Sequence, residues 1–206
     1  MTPQFIGKTG LIGQVLRTKI PRLQSGVADP LERRWLLTGP PGVGKSELAK
    51  VLALEIGGHP LNVERRIGST VSVDVVRDWQ RNAPYRPLFG DATIRLINEL
   101  ETIPPAAVVE LREYLDELPP TVVFIATTNK PVKELQEQLQ SRFQVWKFDP
   151  VQASLIADLL IERFPALAPD RLREIAAKSA GNVRAALEDA TSELDVLNFR
   201  QLAQAA

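Results

Sequence analysis

The chain has 206 residues, 44% hydrophobic and 24% charged, a globular mixture that excludes wholesale disorder and leaves room for one full domain and a small second one. Lys+Arg and Asp+Glu balance at 25 each, so no global positive field exists to bind nucleic acid, and any such contact must come from a local cluster. The lack of cysteine and the single histidine, His59, exclude a disulfide scaffold, a Cys-type zinc site, an iron–sulfur cluster, a thiol nucleophile and a His-rich metal centre.

In chain order, residues 1–16 have no apolar core before a cleavage site, and no stretch approaches ~20 apolar residues, so a cytoplasmic protein with no membrane partner is expected. Lys8, Arg17, Lys19 and Arg22 precede the first acid, Asp29, a basic lead that reads as a solvated amphipathic segment. Arg34 to Thr38 is a short apolar run before a glycine, as a buried strand should be. Residues 45–57 carry apolar residues at helical spacing and stop at Gly57-Gly58. Leu61 to Ile67 forms a second strand, and Ser72 caps a helix on which Val73, Val76 and Trp79 share a face. Pro84 and Pro87 end that helix, and Thr93 to Ile97 is a third strand. Pro104-Pro105 opens a helix through Glu117. Thr121 to Thr127 is apolar on both faces, as a central parallel strand requires. A short helix over 131–140 and a strand over 143–148 follow.

Alternating strands and helices predict an α/β domain, a parallel sheet with helices on both faces. Beyond Asp149-Pro150 no strand candidate remains. Residues 151–164, 169–179, 182–193 and 195–204 read as helices punctuated by Pro165, Pro169 and Gly181. The expected division is therefore 1–148 and 149–206. Trp35, Trp79 and Trp146 read as packing residues and His59 as a loop residue.

Gly39-Pro-Pro-Gly-Val-Gly-Lys-Ser46 fits G-x-x-x-x-G-K-[ST] between a strand and a helix. The glycines let backbone N–H groups surround phosphate oxygens, and the helix N-terminus adds its positive dipole end. Lys45 would neutralise the β- and γ-phosphates, and Ser46 would ligate Mg²⁺. Such a cradle needs an acidic strand end nearby, and Asn98-Glu99 is the candidate, with Glu99 as general base. Asn98 stands where an aspartate would steady the metal's hydration shell; its amide can accept a hydrogen bond from metal-bound water but adds no charge. The strand ending at Asn129 offers an amide to orient the attacking water.

These motifs, in this order, resemble an AAA+ ATPase of the clamp-loader clade, similar to replication factor C small subunits and bacterial clamp-loader motor subunits. The resemblance runs from Phe5-Ile-Gly7 to about Leu197. Leu111 to Asn129 is similar to the family's stretch leading into its sensor-1 strand. Leu139-Gln-Ser-Arg142-Phe is similar to its Ser-Arg-Cys motif, with Phe143 for cysteine, and Gly181-Asn-Val-Arg184 resembles sensor 2. The resemblance implies a P-loop domain with a five-stranded parallel sheet, followed by a small helical lid. It implies ATP or ADP and Mg²⁺ as cofactors, with nucleotide contacts from Phe5, Ile6, Gly39, Pro40, Pro41, Gly42, Val43, Gly44, Lys45, Ser46 and Glu47, and the metal near Ser46 and Asn98. Glu99, Asn129, Arg184 and, in trans, Arg142 would carry hydrolysis. Other AAA+ subunits, a sliding clamp and primed DNA are the implied partners, with Arg77 and Arg81 candidate DNA contacts. Against the family, Asn98 is a departure, and the chain ends just after the lid, before the collar that holds such rings together. An ATP-dependent assembly switch with little hydrolysis, and a helicase loader or protein remodeller, are the alternatives.

Overall fold

The computed structural model describes residues 22–23, 28–87, 89–90 and 92–205. Phe5, Ile6 and the basic residues Lys8, Arg17 and Lys19 lie outside them. Contacts divide the described residues into two compact units, one of residues up to Gly39 together with Lys45–Phe148, the other of Pro40–Gly44 together with the residues from Asp149 onward.

The first unit holds β1 (Arg34–Thr38), β2 (Val63–Ile67), β3 (Thr93–Asn98), β4 (Val122–Thr128) and β5 (Gln144–Lys147). They form one sheet in the order β2-β3-β4-β1-β5, every pairing parallel. All of β4 is buried, and β1 and β3 are buried except for their first residues, whereas the edge strands β2 and β5 expose part of their length. A central parallel strand covered on both faces has no solvent side, hence the unbroken apolar run of β4. Helix α1 (Lys45–Gly57) packs on β1, β3 and β4 through a face that includes Leu48, Leu52 and Ile56. Helices α2 (Val73–Asn82) and α3 (Pro105–Asp116) bury Val76, Trp79, Val108 and Leu111 in a cluster with Leu36, Ile97 and Phe124. Since strand side chains alternate, Leu37, Leu96 and Ile125 project to the face opposite that cluster. Each such side chain removed from water contributes about 1.5–3 kcal/mol. Trp35 and Trp146 stack with centroids 4.9 Å apart, and Trp79 is 2% exposed, as packing residues should be.

Three local expectations are corrected. The second strand starts at Val63, because Pro60–Asn62 is a 3₁₀ turn capped by the His59 side chain, whose Nδ1 accepts from the Leu61 N–H. The segment 131–140 splits into a 3₁₀ turn, Val132–Glu134, and the single-turn helix α4 (Glu137–Gln140). In the second unit, α5 (Ala153–Arg163) and α6 (Pro169–Lys178) precede one uninterrupted helix, α7 (Val183–Ala205), where two had been expected. Leu187, Ala190, Leu194 and Leu197 keep helical spacing across the expected break and pack on one core with Ile156, Leu160, Leu172 and Ile175. No helix among the described residues is long and apolar enough to cross a membrane.

Candidate functional site

The carboxyl ends of β1, β3 and β4 bring the chemistry together. β1 ends at Thr38, whose carbonyl accepts from the Phe148 N–H at 2.7 Å. Gly39 follows with φ +152°, and a Cβ there would lie 2.2 Å from the Phe148 carbonyl oxygen, so glycine alone fits. Lys45 opens α1 with its side chain folded back: it is 5% exposed, and Nζ donates to the Gly39 carbonyl at 2.8 Å and to Asn129 Oδ1 at 3.0 Å. The P-loop lysine and the amide at the end of β4 are thus in direct contact. Ser46 lies beside Lys45 in the first turn of α1. The side chain of Glu47, a residue expected at the nucleotide, pairs with Lys50 at 2.5 Å on the exposed side of α1.

At the end of β3, Asn98 is 7% exposed. Its Oδ1 accepts from Thr127 Oγ1 at 3.3 Å, while Nδ2 is buried without a partner. Thr127 thus takes one of the two lone pairs of the amide oxygen expected to face metal-bound water. Glu99 is exposed in the left-handed conformation, φ 57° and ψ 54°, which aims its side chain away from the strand's alternation. Its N–H donates to Thr127 Oγ1 at 3.4 Å, and its carbonyl accepts from Thr102 N at 2.9 Å and Oγ1 at 2.8 Å. Gly68 leaves room for this turn, since a Cβ there would lie 2.3 Å from the Glu99 carbonyl oxygen. Glu101, absent from the motif reading, accepts the Asn129 backbone N–H at 3.1 Å. Its sole sequence signal is that it follows the acidic pair by two residues.

The donor set bears on Mg²⁺. No cluster of three metal-binding side chains exists among the described residues. The Ser46 hydroxyl and the nearby carboxylates are oxygen donors of the kind Mg²⁺ takes when phosphates supply the rest. The unpaired, buried Asn98 Nδ2 adds no acceptor. The residues fit a cation carried in with a nucleotide, not one held by protein alone.

In the second unit, the middle of the phosphate loop meets the start of α7. The Arg184 N–H donates to the Gly42 carbonyl at 3.3 Å, and Asn182 caps α7 by accepting from the Ala185 N–H at 3.1 Å. Gly42 has φ +77°, and a Cβ on it would lie 1.7 Å from Asn182 Oδ1. The Arg184 residue is exposed. In this unit Val43 is 8% exposed, and Gly44 adopts φ +92°.

Arg142 precedes β5, whose first residue pairs with Trp35 near the start of β1. It therefore lies at the opposite end of the strands from Gly39, since Gln144 is level with Trp35, roughly 13 Å before Gly39 along the strand direction. Nε and Nη2 grip both oxygens of Asp116 at 2.9 and 2.8 Å, and Nη1 donates to the Gln138 carbonyl at 2.5 Å. These hydrogen bonds from Arg142 hold the Asp116 carboxyl below the usual carboxylate range. The candidate DNA contacts are also paired: Arg77 with Glu110 at 2.8 Å, and Arg81 with Asp78.

A parallel sheet in this order, with a P-loop after its β1 strand, an acidic strand end and a polar strand end in contact with the loop lysine, defines an α/β P-loop nucleotide-binding protein. The model of the ATPase family associated with various cellular activities (AAA) matches residues 35–149, and the chain belongs to that family. It is 32% identical over 146 residues to the replication factor C small subunit of Methanocella arvoryzae, covering 68% of this chain and 44% of that protein. It is 27% identical over 175 residues to the replication factor C small subunit of Haloarcula marismortui, covering 81% and 53% respectively. The chain thus spans about half the length of these curated relatives. Among solved structures, RuvB of Thermotoga maritima superposes with a TM-score of 0.75 over 96% of this chain and 65% of that one. At 18% identity this likeness speaks for the fold alone.

Proposed function

We propose that this AAA ATPase couples ATP binding and hydrolysis to remodelling of a DNA replication complex, with sliding-clamp loading as its task. The observation that carries the nucleotide chemistry is the buried Lys45 ammonium held between Gly39 and Asn129. Backbone N–H groups of residues 39–44 bind phosphate oxygens, and Lys45 meets the β- and γ-phosphates. Bound Mg²⁺ would neutralise charge on the phosphoryl oxygens. Glu99 takes the proton of the attacking water, and Asn129 orients that water or the terminal phosphate. Arg142 acts on the nucleotide of a neighbouring subunit, and Arg184 links nucleotide state to the helical unit. Similarity to replication factor C small subunits supports the replication role. Arg77 and Arg81 touch DNA only by exchanging their present carboxylates for phosphates.

A second reading is favoured by Asn98, which is neutral and leaves a buried N–H₂ unpaired: a switch that binds ATP, assembles and hydrolyses slowly. Steady-state ATPase measurements across protein concentration, with and without primed DNA, test the proposal. Clamp loading predicts activity that rises with concentration and is stimulated by primed DNA, with stimulation lost as salt increases. Turnover indifferent to DNA supports a helicase loader or protein remodeller. If Asn98→Asp raises turnover by an order of magnitude at similar ATP affinity, the natural chain is tuned toward switching.

A further inference from the structure

Glu101 lies in the 3₁₀ turn Leu100–Thr102, on the loop that also carries Glu99. Its Oε1 accepts the backbone N–H of Asn129, and its Oε2 is buried without a hydrogen-bonding partner. With one oxygen bonded and the other enclosed, the carboxylate does not swing freely in solvent. Asn129 is the first residue past β4, exposed, where the ladder no longer supplies its N–H with a protein partner. Glu101 supplies it from a turn 28 residues away in sequence.

The consequences run in both directions. Toward the lysine, Asn129 Oδ1 accepts from Lys45 Nζ at 3.0 Å. Toward the acidic motif, the turn is fixed by the Thr102 bonds to the Glu99 carbonyl, so its position and that of Glu99 move together. One carboxylate therefore ties the residue assigned as base to the residue assigned as phosphate sensor.

We infer that Glu101 is a positioning residue for hydrolysis: it holds the Asn129 backbone to the Glu99 turn and so sets the spacing of the two groups that act on the water. This rests on the ATPase reading above. The tie is a hydrogen bond to a side-chain oxygen, so glutamine can make it and alanine cannot.

The test compares Glu101→Ala, Glu101→Gln, Asn129→Ala and the double variant Glu101→Ala/Asn129→Ala with the parent chain. Glu101→Ala should lower kcat roughly tenfold, the worth of one well-placed hydrogen bond, with KM for ATP and affinity for ADP within about twofold. Glu101→Gln should stay within about threefold of the parent. The double variant should lose no more than Asn129→Ala alone, because the backbone tie to Glu101 serves to place the Asn129 amide, which that change has already removed. The inference is overturned if Glu101→Ala matches the parent, if glutamine restores nothing, or if the two losses multiply. It is equally overturned if ADP affinity and the thermal midpoint fall with kcat, which is the pattern of a merely structural tie. Should the parent bind ATP without turning it over, the same variants are read on the preference for ATP over ADP. Glu101→Ala then lowers that preference tenfold or the inference fails, while the nucleotide-binding reading stands. A parent that binds no nucleotide removes both.

Discussion

The oxygens that face the Lys45 ammonium at 2.8 and 3.0 Å belong to an amide and a backbone carbonyl, both neutral. A buried ammonium beside the phosphate loop is a charge-assisted donor for a phosphate oxygen. Charge-assisted hydrogen bonds are worth about 1.5–3 kcal/mol, so Lys45→Ala should weaken ATP binding by roughly ten- to a hundredfold or more, measured calorimetrically. Unchanged affinity would remove the P-loop reading. Glu99 presents a different physical case. A non-glycine residue at φ 57° costs about 1–2 kcal/mol, strain of a kind that clusters at functional sites. Glu99→Gln keeps the shape and removes the proposed base, so ATP binding should persist while hydrolysis drops roughly 10²–10⁴-fold in a single-turnover assay. Surviving turnover would mean that another carboxylate activates the water.

Capping tests how far the elements follow from local sequence. Ser72 accepts the Val75 N–H at 3.3 Å, the bond its place before an apolar-periodic segment predicts. Ser72→Ala should therefore cost about 1 kcal/mol, seen as a lower urea midpoint at unchanged m-value. The strands, α1, α2 and α3 were legible because burial imposes period and composition on contiguous residues. The P-loop was legible because its mechanism needs glycines at fixed offsets. What escaped was set by partners distant in sequence. Asn62 donates to the Gly57 carbonyl and to that of Phe89, fixing a turn where periodicity suggested strand. The continuity of α7 depends on Leu194 and Leu197 finding the core of the second unit. Glu101 could not be singled out because its partner is a backbone N–H, and every residue but proline carries one.

At the scale of the whole molecule, the placement of Arg142 at the far end of the strands is the feature with most reach. On the proposed shared-site mechanism a guanidinium there serves a neighbour's nucleotide, so specific activity should rise with protein concentration. Arg142→Ala should lose activity and keep ATP affinity, and mixing it with Glu99→Gln should partly restore turnover, since each supplies what the other lacks at some interfaces. Activity independent of concentration, with Arg142→Ala indistinguishable from the parent, would sink the shared-site mechanism. The grip of Asp116 on Arg142 also bears on how subunits would meet. Asp116, which Arg34 also approaches at 3.9 Å, offsets part of the Arg142 charge, so Arg142 guides a distant neighbour less than a lone cation would. Most of what Arg142 contributes to assembly should then arise after contact, once Asp116 has yielded to phosphate. In a stopped-flow mixing experiment, Arg142→Ala should shorten the lifetime of the ATP-bound pair far more than it changes the association rate constant.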